Sequence, residues 1–221
     1  MIVDAERAAR LTARTLLDIE AVLFRPEDPF TFTSGRRSPV YVDCRRIISF
    51  PRARNLLMDL GVGRLVQTAG PEAFDVVAGG ETAGIPFAAW MAERLHLPMI
   101  YVRKQPKGFG RNARIEGSLP EGARVLLVED LATDGGSKLS FVEAIREAGA
   151  EVAHCFVVFH YGIFPQSTAS LEQAGVKLHA LCTWWEALEE AEARDYLDPD
   201  GTAAVRRFLE DPETWGKAAG S

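Results

Sequence analysis

The sequence predicts an α/β fold: a central parallel β-sheet flanked by helices, with an N-terminal hood of helix and short strands and a long basic loop. Three observations carry this. The apolar runs Phe74–Gly80, Arg124–Asp130 and Val152–His160 are short and continuous. They lack the two-residue alternation of a half-exposed strand, which is the pattern of strands buried on both faces. Helix-compatible stretches separate them, the arrangement that builds parallel sheets by crossover.

The elements follow in order. Asp4 is placed to cap a helix running to about Leu23, with Leu16, Ile19 and Leu23 at helical spacing. A turn-rich stretch comes next, in which Phe30–Thr33 and Pro39–Asp43 have the β-branched and aromatic content of short strands around a Ser-Gly turn. Pro51 suits the first position of a helix extending to about Thr68. From Phe74 strand and helix alternate: a strand to Gly80, a helix from Ile85 to Leu95, then a strand in PMIYVRK. The eighteen residues Gln105–Gly122 form a polar, glycine-containing segment with no periodicity. Loops of that length inside a compact domain are usually lids or binding loops. Then come the strand RVLLVED, a helix from about Ser137 to Ala148, the strand VAHCFVVFH and an edge strand in VKLHALCTWW. The rest reads as charged and mostly helical, ending in a disordered GKAAGS. Residues 1–70 are thus expected to form a hood packed on the core, 71–185 the α/β core, and 186–221 a helical tail.

Composition narrows the function. Hydrophobic residues make up 47% of the chain and charged ones 25%, which permits a large buried core. A formal net charge of −6 argues against a nucleic-acid-binding surface. The charge is uneven, however. Arg103, Lys104, Lys107, Arg111 and Arg114 fall within twelve residues with no acid among them, and six arginines between Arg36 and Arg54 face the single acid Asp43. Such clusters on an acidic chain point to a local anionic ligand. Three scattered cysteines, Cys44, Cys155 and Cys182, match a reducing compartment rather than a disulfide framework. Neither a secretory signal nor an apolar run long enough to span a membrane is visible, so the expectation is a cytoplasmic protein without membrane partners.

The chemistry concentrates in Val125–Ser137, VLLVEDLATDGGS. An apolar strand ends in two adjacent carboxylates, Glu129 and Asp130. Leu131 and Ala132 follow, then the small-residue turn Thr133-Asp134-Gly135-Gly136-Ser137, which opens a helix. In open parallel sheets ligands sit beyond the carboxyl ends of the strands, where this turn lies. Glycines let backbone N–H groups approach a phosphate, and the helix N-terminus adds a favourable dipole. Ionised carboxylates would repel that phosphate but accept hydrogen bonds from adjacent sugar hydroxyls. The segment therefore suits a sugar phosphate. Rival motifs fail: Gly135-Gly136-Ser137-Lys138 has the wrong order for a nucleoside-triphosphate loop, and the GxGxxA match at Gly108–Ala113 lacks the apolar helix that must follow.

Those thirteen residues resemble the diphosphoribosyl-binding signature of the type I phosphoribosyltransferases. With FTFTSGRRSPVYVDCRR (Phe30–Arg46), AGGETAGIP (Ala78–Pro86) and YVRKQPKGFGRNARIEG (Tyr101–Gly117), the order of blocks resembles the orotate phosphoribosyltransferase family from about Phe30 to Thr183. The resemblance implies transfer of a phosphoribosyl group from phosphoribosyl diphosphate to orotate in pyrimidine synthesis. It also implies a homodimer whose flexible basic catalytic loop completes the neighbouring subunit's site. By position, Arg103, Lys104 and Lys107 would be catalytic and contact the diphosphate, joined in donor binding by Phe109, Gly80 and Glu81. Glu129 and Asp130 would hold the ribose, Asp130 with a catalytic role. Leu131 and Ala132 would join in donor binding, Thr133–Ser137 would take the 5′-phosphate, and Thr133 and Tyr161 the orotate. Magnesium would be bound through the diphosphate and water, with no protein metal site.

Four positions depart from the family pattern, all on the base side: Thr33, Ala83 and Tyr161 where basic residues are common, and Phe109 where histidine is common. Arg36, Arg37, Arg45 and Arg46 stand near enough in sequence to compensate. Alternatives are a different nucleobase as acceptor, or a non-catalytic regulator sensing the donor. The histidines His96, His154, His160 and His179 are read as structural, and Trp184-Trp185 as packing.

Overall fold

In the computed structural model of the chain, residues 4–215 are described apart from positions 33, 34, 36, 109–112, 134, 135 and 165. The expectations for Thr33, Arg36, Phe109, Arg111, Asp134, Gly135 and the GKAAGS end lie outside the described residues.

Helix α1 (Ala5–Asp18) opens where Asp4 accepts a hydrogen bond from the Arg7 backbone N–H at 2.9 Å, and it buries Ala13, Leu16 and Leu17. It stops five residues short of Leu23, the end expected from periodicity. Glu20 adopts a positive φ of 55° and turns the chain into β1 (Val22–Phe24). Tertiary pairing wins here, because Val22, Leu23 and Phe24 form an antiparallel ladder with β4 (Val40–Val42). Between them β2 (Phe30–Thr31) pairs with β3 (Arg37–Ser38). The partner of β2 is thus Arg37–Ser38, and Val40–Val42 pairs instead with β1. A 3-10 helix (Cys44–Ser49), capped by the Asp43 carboxylate at the Arg45 N–H (3.1 Å), leads into α2 (Pro51–Thr68) with proline in its first turn.

The main sheet comprises β5 (Val76–Gly80), β6 (Met99–Val102), β7 (Ile115–Glu116), β8 (Arg124–Ala132), β9 (Glu151–His160) and β10 (Lys177–Thr183). Their spatial order is β10-β9-β8-β5-β6-β7, parallel throughout except for β7 against β6. Strand β7 corrects the expectation that Gln105–Gly122 holds no secondary structure. Its two residues are too short for a periodicity to register. The parallel connections are made by α3 (Gly84–Leu95), α4 (Gly136–Glu147) and α5 (Gln166–Gln173). Helix α5 has no strong sequence pattern, but the parallel pairing of β9 and β10 demands a crossover there. Strand β10 is the edge, and Trp184-Trp185 begin α6 (Trp184–Ala193) instead of ending the strand. Thr183 and Glu186 close a capping box that starts the helix, and α7 (Pro199–Glu210) follows.

Alternate side chains of β8 feed two cores. Leu126 and Val128 pack with Phe156, Phe87, Leu57, Trp184 and residues of α1 and α7 on one face. Val125 and Leu127 pack with Val157, Phe141, Ile145 and Leu171 of α4 and α5 on the other. Each buried Leu or Phe contributes about 1.5–3 kcal/mol by leaving water, which makes β8 the most firmly placed strand. Its two ends are therefore held in fixed positions.

Candidate functional site

The carboxyl end of β8 is where the apolar run stops being apolar. Glu129 and Asp130 are 8% and 7% exposed, among the few buried charged residues. Adjacent strand residues project to opposite faces, and the two carboxylates have different neighbours. The Glu129 side chain lies against the end of β5 and the start of α3. A Cβ at Gly80 would overlap Glu129 Oε1 and stand 2.5 Å from Phe141, and one at Gly84 would stand 2.5 Å from Glu129 Oε1. Two backbones approach this carboxylate so closely that any side chain at either glycine would displace it. Glu129 Oε1 is buried without a hydrogen-bond partner. Burial pushes its carboxyl up to about 8, opposed by the charges of Lys138 and Lys104 and reinforced by Asp130.

Asp130 points toward the hood. Burial raises its carboxyl as well, opposed by the Leu131 N–H that it accepts at 2.9 Å and by the charges of Lys138 and Arg45. The neighbouring Cys44 thiol is raised by burial and then by Asp130. Leu131 is half-buried, Ala132 is buried, and half-buried Thr133 follows as the strand ends. Gly136 and Ser137, the described end of the small-residue segment, open α4. Beside Ala132, whose carbonyl accepts the Tyr161 N–H at 2.9 Å, Tyr161 lies on Phe164 and edge-on to Trp184 and Phe159. Its hydroxyl is raised by burial and by the nearby Cys44 and Tyr41.

The basic loop leaves β6 next to the glycine turn. Glu81 Oε2 accepts the Lys104 N–H at 2.8 Å, and the Glu81 N–H is bound to the Val102 carbonyl at 2.9 Å, so the two segments are tied together. The loop then folds back on itself: Arg103 N–H to Arg114 O at 2.8 Å, Lys107 N–H to Ala113 O at 2.7 Å, and Arg114 Nε to Arg103 O at 2.8 Å. Arg103 pairs with Glu116 at 3.3 Å, whereas Lys104 and Lys107 are exposed. Among its described residues the loop thus presents Lys104 and Lys107 and turns Arg103 and Arg114 inward.

The structure brings Gly80, Glu81, Lys104, Glu129, Asp130 and the start of α4 to one end of the sheet. The arginines offered as compensation are dispersed: Arg45 is held by Asp43 at 3.1 Å and acts on Asp130, Arg46 binds Ile19 O and Glu20, and Arg37 lies in β3. Sequence reading missed Lys138, which is 3% exposed in the first turn of α4 and acts on Glu129, Asp130, Cys155 and His160. A signal was present: a cation in a helix's first turn opposes the helix dipole, so it needs a nearby acid. Among the described residues no group of three or more His, Cys, Asp or Glu could hold a metal ion.

Comparison with known proteins matches this geometry. Residues 62–196 fit the model of the phosphoribosyl transferase domain family. The chain is 62% identical over 213 residues to an orotate phosphoribosyltransferase of Cereibacter sphaeroides, covering 96% of this chain and 92% of that one. The crystal structure of orotate phosphoribosyltransferase from Aeropyrum pernix superposes with a TM-score of 0.70 at 32% identity, covering 84% of this chain and 99% of the other. The Mycobacterium tuberculosis enzyme in complex with 5-phospho-α-D-ribosyl 1-diphosphate gives 0.61 at 26% identity, over 80% and 98%. The fold, the acid pair at the end of β8 and these likenesses agree: the chain belongs to the orotate phosphoribosyltransferase family.

Proposed function

We propose that the protein transfers the 5-phosphoribosyl group from phosphoribosyl diphosphate to orotate, giving orotidine 5′-phosphate and diphosphate in pyrimidine biosynthesis. The observation that carries this is the buried Glu129–Asp130 pair, with an orphan oxygen, at the carboxyl end of β8 and beside a helix N-terminus. A buried carboxyl oxygen left without a partner fits a ribose hydroxyl, which can both donate and accept. The segment that leads from β8 into α4, Thr133 through Ser137, takes the 5′-phosphate. The Gly80-Glu81 turn and the exposed Lys104 and Lys107 face the diphosphate, with Arg103 beside them. As the bond from ribose C1 to the diphosphate oxygen breaks, negative charge grows on the leaving group, and fixed cations stabilise it most at that moment. Closure of the loop excludes water, which would otherwise capture the ribosyl centre.

Magnesium would be held through the diphosphate and water, where it would supply counter-charge to the leaving group. The lysines and backbone amides suit such a complexed anion. Tyr161, set in its aromatic group beside the end of β8, and Thr133 contact the base. The protein acts as a homodimer in the cytoplasm, each loop serving the neighbouring site. Support for the dimer is the exposure of the large apolar side chains Ile48 and Phe50 near the start of α2. No described helix is long and apolar enough to cross a membrane. Residues 1–70, 71–185 and 186–221 serve as hood, core and tail.

Loss of orotate absorbance in the presence of phosphoribosyl diphosphate and magnesium tests the reading. Turnover is expected, with a drop of about 10²–10³-fold in Lys104→Ala, the loss typical of removing one charge-stabilising group. Donor binding without any orotate turnover would overturn the assignment of the acceptor.

A further inference from the structure

Lys138 is a lysine with almost no access to solvent. It is 3% exposed, in the first turn of α4, where the helix dipole disfavours a cation. A buried ammonium persists when an opposite charge lies close by. The groups within its electrostatic reach are Glu129 and Asp130 of β8 and Cys155 and His160 of β9. Lys138 stands one helical turn before Phe141, on the face of α4 that meets Glu129, and of these groups the two carboxylates are the ones whose ionised form a cation favours. The Cys155 thiol is pushed up to about 12 by burial, and burial and Lys138 together keep His160 neutral. Glu129 in turn is hemmed in by Gly80, Gly84 and Phe141, with Oε1 unpartnered, and meets Lys138, Lys104, Asp130 and Cys155 as its charged or titratable neighbours.

We propose that Lys138 is the internal counter-ion of the Glu129–Asp130 pair and so a positioning residue for the donor's ribose hydroxyls, an inference that rests on the function proposed above. It acts from the first turn of α4, through the charge of the pair and not by contact with the sugar. The cation favours the ionised pair, whose oxygens accept the charge-assisted hydrogen bonds that fix the ribose for displacement at its C1. Lys104 acts on Glu129 too, but from an exposed loop, where water screens it.

The test is calorimetric binding of phosphoribosyl diphosphate with magnesium between pH 7 and 9.5, above the range in which the donor's phosphates titrate. Affinity of the unsubstituted protein rises through this range as Glu129 ionises. In Lys138→Met the rise moves upward by about one pH unit, giving about a tenfold loss of affinity near pH 7.5 that narrows toward pH 9.5. Lys138→Arg keeps the parental profile, and Glu129→Gln has no rise. A Lys138→Met profile parallel to the parent's would overturn the proposal, because a merely structural lysine lowers affinity equally at every pH. Should Lys138→Met fail to fold, the Lys138→Met/Glu129→Gln double variant must fold, since it removes both partners of the buried pair. Failure of that variant too would overturn the proposal. Absence of donor binding by the unsubstituted protein would instead defeat the function on which the inference stands.

Discussion

The two ends of β8 carry acid–base partners in opposite circumstances. At the amino end, Arg124 grips Asp75 with Nε and NH2 at 2.9 and 2.7 Å and adds its backbone N–H at 2.9 Å. That carboxylate lies in water with every contact satisfied, and the Arg124 hydrogen bonds hold it down at about 2. Nearby, His154, His179 and the Thr68 hydroxyl form a chain of 2.9 Å contacts. At the carboxyl end, Glu129 is buried, one oxygen has no partner, and its carboxyl is pushed up to about 8. The same strand thus has one end finished and one end waiting. An acid with nothing left to accept is structural. An acid buried with spare acceptor capacity is held there for something that arrives later.

The largest effect expected from probing this contrast comes from Gly80→Ala. Its Cβ would occupy the space of Glu129 Oε1, so the carboxylate must move. Overpacking of this kind costs about 1–3 kcal/mol. A displacement near 1 Å at a reacting site costs about 10²-fold in rate. Thermal unfolding and initial-rate measurements together check both. Parental turnover in Gly80→Ala would mean that the position of Glu129 is not critical.

Glu129→Gln is expected to separate function from stability. The folded carboxyl is raised above its unfolded value near 4.3, so between about pH 4.5 and 8 the folded state keeps a proton that the unfolded chain has lost. Stability from this group therefore falls as pH rises through that window. The glutamine variant escapes the loss. It should be more stable than the parent by on the order of a few kcal/mol at pH 8.5 and nearly indistinguishable near pH 4.5, while binding the donor more weakly. Denaturant titrations at the two pH values decide it. A variant less stable than the parent at pH 8.5 would refute the burial argument.

The smallest effect belongs to the finished end. Asp75→Asn removes an exposed ion pair of a kind that contributes little. Its carboxyl is depressed, so any stability it gives is present above its unfolded value and is lost as pH falls toward about 2. Turnover should match the parent's at neutral pH, with a slight drop in unfolding midpoint there and none at strongly acid pH. A large loss of turnover would show that the two ends of β8 are coupled.

Much of this was legible in the residues. The run Val125–Val128 reads as a buried strand, because continuous apolar side chains have few other uses, and the acids after it mark the strand end at which the proposed site lies. Asp4 as a cap and Pro51 as a helix start were equally readable, being decided by local hydrogen bonds and a locked φ. What stayed hidden depended on contacts remote in sequence. Leu23 has a helical spacing, yet pairs with Tyr41 in a strand. Ile115–Glu116 become β7 because the edge of β6 is open to them. Gly80 and Gly84 read as turn residues, and their second role, making room for Glu129, exists only once β5 lies beside β8. The sequence by itself determined which residue types stand at the carboxyl end of β8, since the order of strand, acids and small residues is local. The tertiary structure decided that Glu129 and Asp130 face different neighbours, and that Lys138 is buried against them. Burial and charge proximity are properties of the assembled sheet and have no counterpart in the linear chain.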